Sequence, residues 1–131
     1  MRWDASPGGG FSSGDAWLPL GDARRNVAAL QADERSILWL YRRLLRLRRS
    51  EPALLTGDYE PVRSRGDILT YRRTGPGGAI LVALNIVHDP RKLECSCQGK
   101  LLLSTHLDRA DEAVCAPRLL RPSEGIIVRL A

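Results

Sequence analysis

The sequence predicts a mainly β protein: an antiparallel β-sandwich preceded by one amphipathic α-helix and a long N-terminal loop. Three observations predict it. From residue 57 onward, short segments rich in β-branched and apolar residues follow a period of two. Residues 33–50 follow a helical period instead. The residues before them carry large apolar side chains with neither period.

Residues 1–32 form the first region. The stretch "MRWDASPGGGFSSGDAWLPL" sets Trp3, Phe11, Trp17 and Leu18 among glycine, serine and aspartate. "SPGGG" and "SSG" are turn chemistry, so a loop is expected, with room for a short helical turn in "DARRNVAALQAD". So long a loop in a compact domain points to a functional or displaced segment.

Residues 33–50, "DERSILWLYRRLLRLRRS", predict the helix. Asp33 serves as N-cap, Glu34 suits the positive end of the helix dipole, and Arg48 and Arg49 suit the negative end. At about 100° per residue, Ile37, Leu38, Leu40, Tyr41, Leu44, Leu45 and Leu47 share one half of the cylinder. Arg35, Arg42, Arg43, Arg46 and Arg49 share the other, with Trp39 stranded among them. Pro52 disfavours helical geometry at Glu51 and ends the helix.

Residues 56–131 predict the sandwich, of about six to eight strands. "GDYEPVRS", "DILTYRR", "AILVALN", "RKLECS", "KLLLSTH" and "GIIVRL" read as strands. "SRGD", "TGPGG", "HDP" and "CQGK" read as the turns between them, and "RADEAVCAPRLLRPSEG" as a connection holding one further strand. No helix intervenes, which favours antiparallel pairing.

The chain has 131 residues, room for one ordinary domain. Its net charge of +5 is concentrated in "RRLLRLRRS". No nucleic-acid-binding signature accompanies these arginines, so a solvated or protein-facing helix face is expected and no nucleic-acid partner. No apolar run of ~20 residues predicts a membrane span, and no secretory leader is visible. Three cysteines, an odd count, predict free thiols and a reducing cytoplasmic location.

Motifs assign no chemistry. Cys95, Cys97 and Cys115 with His88 and His106 match no zinc spacing. "SPGGGFSSG" lacks the lysine and the strand–helix context of a phosphate loop. No nucleophile elbow is present, and no pair among the acidic residues stands out for acid and nucleophile work. No catalytic residue, metal ligand or cofactor is expected.

The order of the segments says more. "RWD", "GF", "WLPL", "NV", "YRRLLRLRRSEPAL", "DILTYRR" and "ALN", in that order, resemble the C-terminal end of α-glucosidases and oligo-1,6-glucosidases of the α-amylase superfamily. The match is close through about residue 87 and weaker beyond Arg91. The resemblance implies that residues 1–32 follow the last strand of a catalytic barrel, 33–50 form its last helix, and 56–131 form domain C, a Greek-key sandwich. The family's nucleophile, acid and second aspartate belong to earlier strands, so the chain is expected to be inactive alone, with a catalytic barrel as its natural partner. Trp3, Phe11, Trp17 and Leu18 would then pack on the barrel rim. Without a barrel, the apolar helix face predicts a homodimer or helix-exchanged oligomer. The alternative is a free-standing carbohydrate-binding or protein-interaction module. That would need an exposed aromatic platform, for which only Tyr59 and Tyr71 remain beyond the helix.

Overall fold

The computed structural model describes residues 1–63, 66–94, 98–115 and 117–131. Among these, three helices precede eight strands. The chain divides into two compact units, Met1–Arg43 and Leu44–Ala131.

The first unit holds the loop and α1 (Val27–Ala32). Asn26 is buried and caps α1: its Oδ1 accepts from the Ala29 N–H at 2.8 Å while its Nδ2 donates to the Ala23 carbonyl at 2.7 Å. Asp33, expected to start the long helix, instead closes α1. The long helix α2 runs Ile37–Ser50, four residues later than expected, and Glu34 lies outside its first turn. The physical reason is local. The Asp33 carboxylate accepts from the Arg35 N–H, and the buried Ser36 hydroxyl donates to the Leu30 carbonyl, which holds 33–36 as a turn between two helices. α2 ends before Glu51, as expected, and Pro52 opens a third helix: α3 (Pro52–Thr56) has proline in its first turn, where the missing N–H costs nothing.

The second unit holds the strands: β1 (Asp58–Pro61), β2 (Ile68–Gly75), β3 (Gly78–Asn85), β4 (Arg91–Leu93), β5 (Gln98–Ser104), β6 (Ala113–Cys115), β7 (Arg118–Leu120) and β8 (Gly125–Leu130). Six form an antiparallel sheet in the order β1-β2-β3-β8-β5-β6, and β4 and β7 form a second sheet. Gly75 pairs with Gly78 across the β2–β3 turn, where Gly77 and Gly78 take left-handed φ of 90° and 115°. β8 returns beside β5 after β6 and β7, the Greek-key return.

Two sequence expectations differ here. The connection 109–125 contains two strands, β6 and β7, rather than one. "CQGK" is not a turn over its described residues, since Gln98–Lys100 open β5. Gly99 pairs with both Leu130 and Val114, and a Cβ there would collide with the Arg129 carbonyl. The glycine serves close backbone approach inside the sheet, not a bend.

Leu81, Ala83, Leu101, Ile126 and Val128 line one face of the large sheet and pack against Leu93 and Leu120 of the small one. Thr70 lies on that face, buried, and its hydroxyl has no hydrogen-bond partner among the described residues. Thr70→Val removes an orphaned polar group at similar volume. Urea unfolding is expected to show a gain of about 1 kcal/mol, and a loss would mean that the hydroxyl is bonded in solution.

Candidate functional site

The N-terminal loop is closed on itself. Arg2 bridges to Asn26, and its guanidinium donates to the carbonyls of Gly21 at 3.2 Å and Ser6 at 3.0 Å. Asp4 accepts from both the N–H and the hydroxyl of Ser6, bonds that hold its carboxyl below its ordinary value. Gly10 takes φ 76° beside it, where a Cβ would meet the Asp4 carboxylate. This polar framework presents apolar side chains instead of burying them. Trp3, Phe11 and Leu18 are more than half exposed, and Trp17 is 93% exposed.

The helix face shows the same excess. α2 buries none of its residues. Ile37, Tyr41 and Leu45 are exposed, and Leu38, Leu40, Leu44 and Leu47 are only half-buried. Trp39, stranded among the arginines, is satisfied locally: its Nε1–H donates to the Gln31 carbonyl at 3.0 Å, and the Arg42 guanidinium lies 5.1 Å from its ring centre. The helix therefore offers an amphipathic surface with its apolar side unfilled.

The β unit carries an ion cluster that the sequence did not disclose. Glu124 is fully buried. One carboxylate oxygen accepts from the Ser104 hydroxyl at 2.7 Å, Arg109 Nη2 at 2.6 Å and Arg121 Nη2 at 2.8 Å; the other accepts from the Arg121 N–H at 2.9 Å. Arg121 also holds Asp108 through two hydrogen bonds, at 2.5 and 2.8 Å. Burial pushes the Glu124 carboxyl up, but these donors outweigh it and hold it at about 2. Bonds from Arg121 keep Asp108 well below the usual carboxylate range. A left-handed residue, Leu107 or Ser123, directly precedes each carboxylate and re-aims it. Neither acid suits glycoside chemistry. A general acid needs a raised pKa, and a nucleophile needs a free oxygen. The cluster is a structural clasp.

The remaining sequence candidates do not converge. Among the described residues no three His, Cys, Asp or Glu side chains group as metal ligands. His88 Nδ1 lies 2.9 Å from the Ser123 hydroxyl on the surface, and His106 sits in the turn after β5. Cys115 is exposed and unbonded; Cys95 and Cys97 lie outside the described residues. No described helix is long and apolar enough to cross a membrane.

Comparison with known proteins gives these surfaces a context. Residues 1–57 match the α-amylase catalytic-domain family. The trehalose-6-phosphate hydrolase of Escherichia coli (strain K12) is 31% identical over 131 residues, which span 96% of this chain and 24% of that protein. The oligo-1,6-glucosidase of Halalkalibacterium halodurans is 30% identical over 132 residues, 95% of this chain and 24% of that protein. The crystal structure of the trehalulose synthase MutB from Pseudomonas mesoacidophila MX-45 matches with a TM-score of 0.88 and 29% identity, over 99% of this chain and 24% of that one. The chain thus spans about a quarter of the length of these relatives. Sequence and fold agree that it is homologous to the C-terminal quarter of the α-glucosidase, oligo-1,6-glucosidase and trehalulose synthase enzymes, with its first 57 residues matching the α-amylase catalytic-domain family.

Proposed function

We propose that this chain serves as the structural C-terminal part of an α-glucosidase-type glycoside hydrolase, supporting a catalytic domain that carries the carboxylate pair. One observation carries the reading: the segment matching the catalytic-domain family contains a helix with no buried residue. Such a face belongs against a larger body. Each of its side chains left in water forgoes roughly 1.5–3 kcal/mol. The relatives' names, α-glucosidase and oligo-1,6-glucosidase, point to glucosides as the substrates of the whole enzyme. The aromatic pair of the β unit does not favour a free-standing sugar-binding module, because Tyr59 and Tyr71 meet at 36° and form no flat platform.

The chain alone is expected to leave p-nitrophenyl α-glucoside intact and to cover its helix with a second copy. Sedimentation equilibrium at micromolar concentration should give a mass above the 14.5 kDa monomer, and Leu45→Glu, at an exposed position, should return it to a monomer. Turnover by the pure chain that a point mutation in it abolishes would overturn the supporting role. A monomer at all concentrations would show that the helix needs no cover.

A further inference from the structure

The stretch "SPGGGFSSGDAW" lacks the marks of a phosphate loop, yet it encloses space. Residues 7–8 and 12–16 line a cavity of about 410 Å³ with a mostly polar wall. Its backbone is fixed by short-range bonds. The Gly9 N–H donates to the Ser6 carbonyl at 2.9 Å, and the Ser12 N–H donates to the Gly8 carbonyl at 3.3 Å. A Cβ on Gly8 would strike the Ser12 carbonyl, so glycine is what lets the two sides of the loop meet. The Ser12 hydroxyl is used up inside the loop: it donates to the Gly14 carbonyl at 2.9 Å and accepts from the Gly14 N–H at 3.2 Å. The Ser13 hydroxyl and the Asp15 carboxylate are different. Both are exposed at the cavity, and neither has a hydrogen-bond or ion-pair partner among the described residues. Trp17 follows the last lining residue, Ala16, and is 93% exposed with its indole N–H unbonded among the described residues.

These groups define a ligand by their chemistry. No lysine or arginine lines the cavity and Asp15 adds a negative charge, which disfavours an anion. A pyranose ring fits instead. Its axial C–H groups make an apolar face that stacks on an indole, and its hydroxyls donate to a carboxylate and exchange hydrogen bonds with serine. An apolar plate beside a few unpaired polar groups is the make-up of a small-molecule site. We infer that this loop binds a glucose unit of an α-glucoside, with Trp17 stacked on the ring and Asp15 and Ser13 on its hydroxyls. The loop forms the site by itself. The choice of glucose among pyranoses rests on the supporting role proposed above.

Proton–nitrogen correlation spectra of the full chain test it, with isomaltose as the probe and Trp17→Ala identifying the Trp17 indole signal by its loss. Isomaltose raised to about 50 mM should move the Trp17 indole and the Ser13 and Asp15 amides along one saturating curve, with a midpoint of about 1–10 mM, as for a small ligand at an open site. The Trp39 indole, bonded to the Gln31 carbonyl, is the internal control and should stay in place. Trp17→Ala, followed at the amides, and Asp15→Ala should each raise the midpoint about fivefold or more. Both side chains are exposed, so the variants keep the fold. Absence of a saturable shift overturns the inference and leaves Trp17 for a protein contact. An equal response to sorbitol, which has the hydroxyls without the ring, overturns it too, as does a midpoint that both variants leave unchanged. None of these readings uses turnover or mass, which test the supporting role, so the two proposals can fail separately.

Discussion

Glu124→Gln is expected to destabilise the β unit by about 3–5 kcal/mol, the cost of breaking a buried ion pair from one side. The amide keeps one acceptor oxygen for Ser104, Arg109 and Arg121 but sets its N–H donors against the Arg121 N–H, and it removes the charge that Arg109 and Arg121 neutralise. The same contacts predict a pH dependence. The carboxyl lies at about 2 in the folded chain against an ordinary value of 4.5. A lowered folded pKa means that the unfolded chain binds the proton first. The stabilisation is therefore complete above pH 4.5 and is lost as pH falls towards 2. That gap corresponds to an order of magnitude of 3 kcal/mol. Asp108 is lowered too, so it contributes in the same direction. Urea midpoints between pH 7 and pH 2 check both points. The wild type should fall steeply below pH 4.5, and the glutamine variant should fall less over the same range. Parallel curves would show that Glu124 is not the group that titrates.

Asn85→Ala is expected to cost about 2–4 kcal/mol, because it leaves a cavity at a buried site and unpairs three partly buried backbone groups at once. The side chain is buried at the end of β3. Its Nδ2 donates to the carbonyls of Asp89 at 2.7 Å and Arg121 at 2.8 Å, and its Oδ1 accepts from the Val87 N–H at 3.2 Å. The Asn85 backbone N–H adds a bond to the Glu124 carbonyl at 2.9 Å. Asn85 thus ties the turn after β3 to the segment that carries the clasp. Asn85→Asp tests the donor role alone. It keeps the acceptor for Val87 but sets a carboxylate oxygen against two carbonyls. Thermal unfolding should rank the wild type above both variants, and a neutral alanine variant would mean that water replaces the amide.

How much was legible beforehand depended on how local the cause was. Strand segments such as Gly125–Leu130 and Ile68–Gly75 follow from period-two patterning and bounding turns. The helix was visible in its apolar stripe, but its start was not. Asp33 followed by an acidic residue fits an N-cap as well as the closing residue of α1, and only the Ser36–Leu30 bond distinguishes them. Gly99 reads as a turn residue until the second strand beside it is known.

By itself, the sequence determined the mainly β class, the amphipathic helix ahead of the strands and the resemblance to the α-glucosidase end of the α-amylase superfamily. All of these depend on neighbouring residues and on motifs in order. Tertiary structure alone decided the rest. Asn85 was visible as part of "ALN", but its partners lie 4 and 36 residues away. Glu124 looked like one more turn acid, yet Ser104, Arg109 and Arg121 meet on one of its oxygens because β8 returns beside β5. Which face of the large sheet stays open also depends on where the small sheet and α3 settle. Patterning reports the period of a chain, whereas charge pairing and burial depend on contacts between residues distant in sequence, which only the folded arrangement specifies.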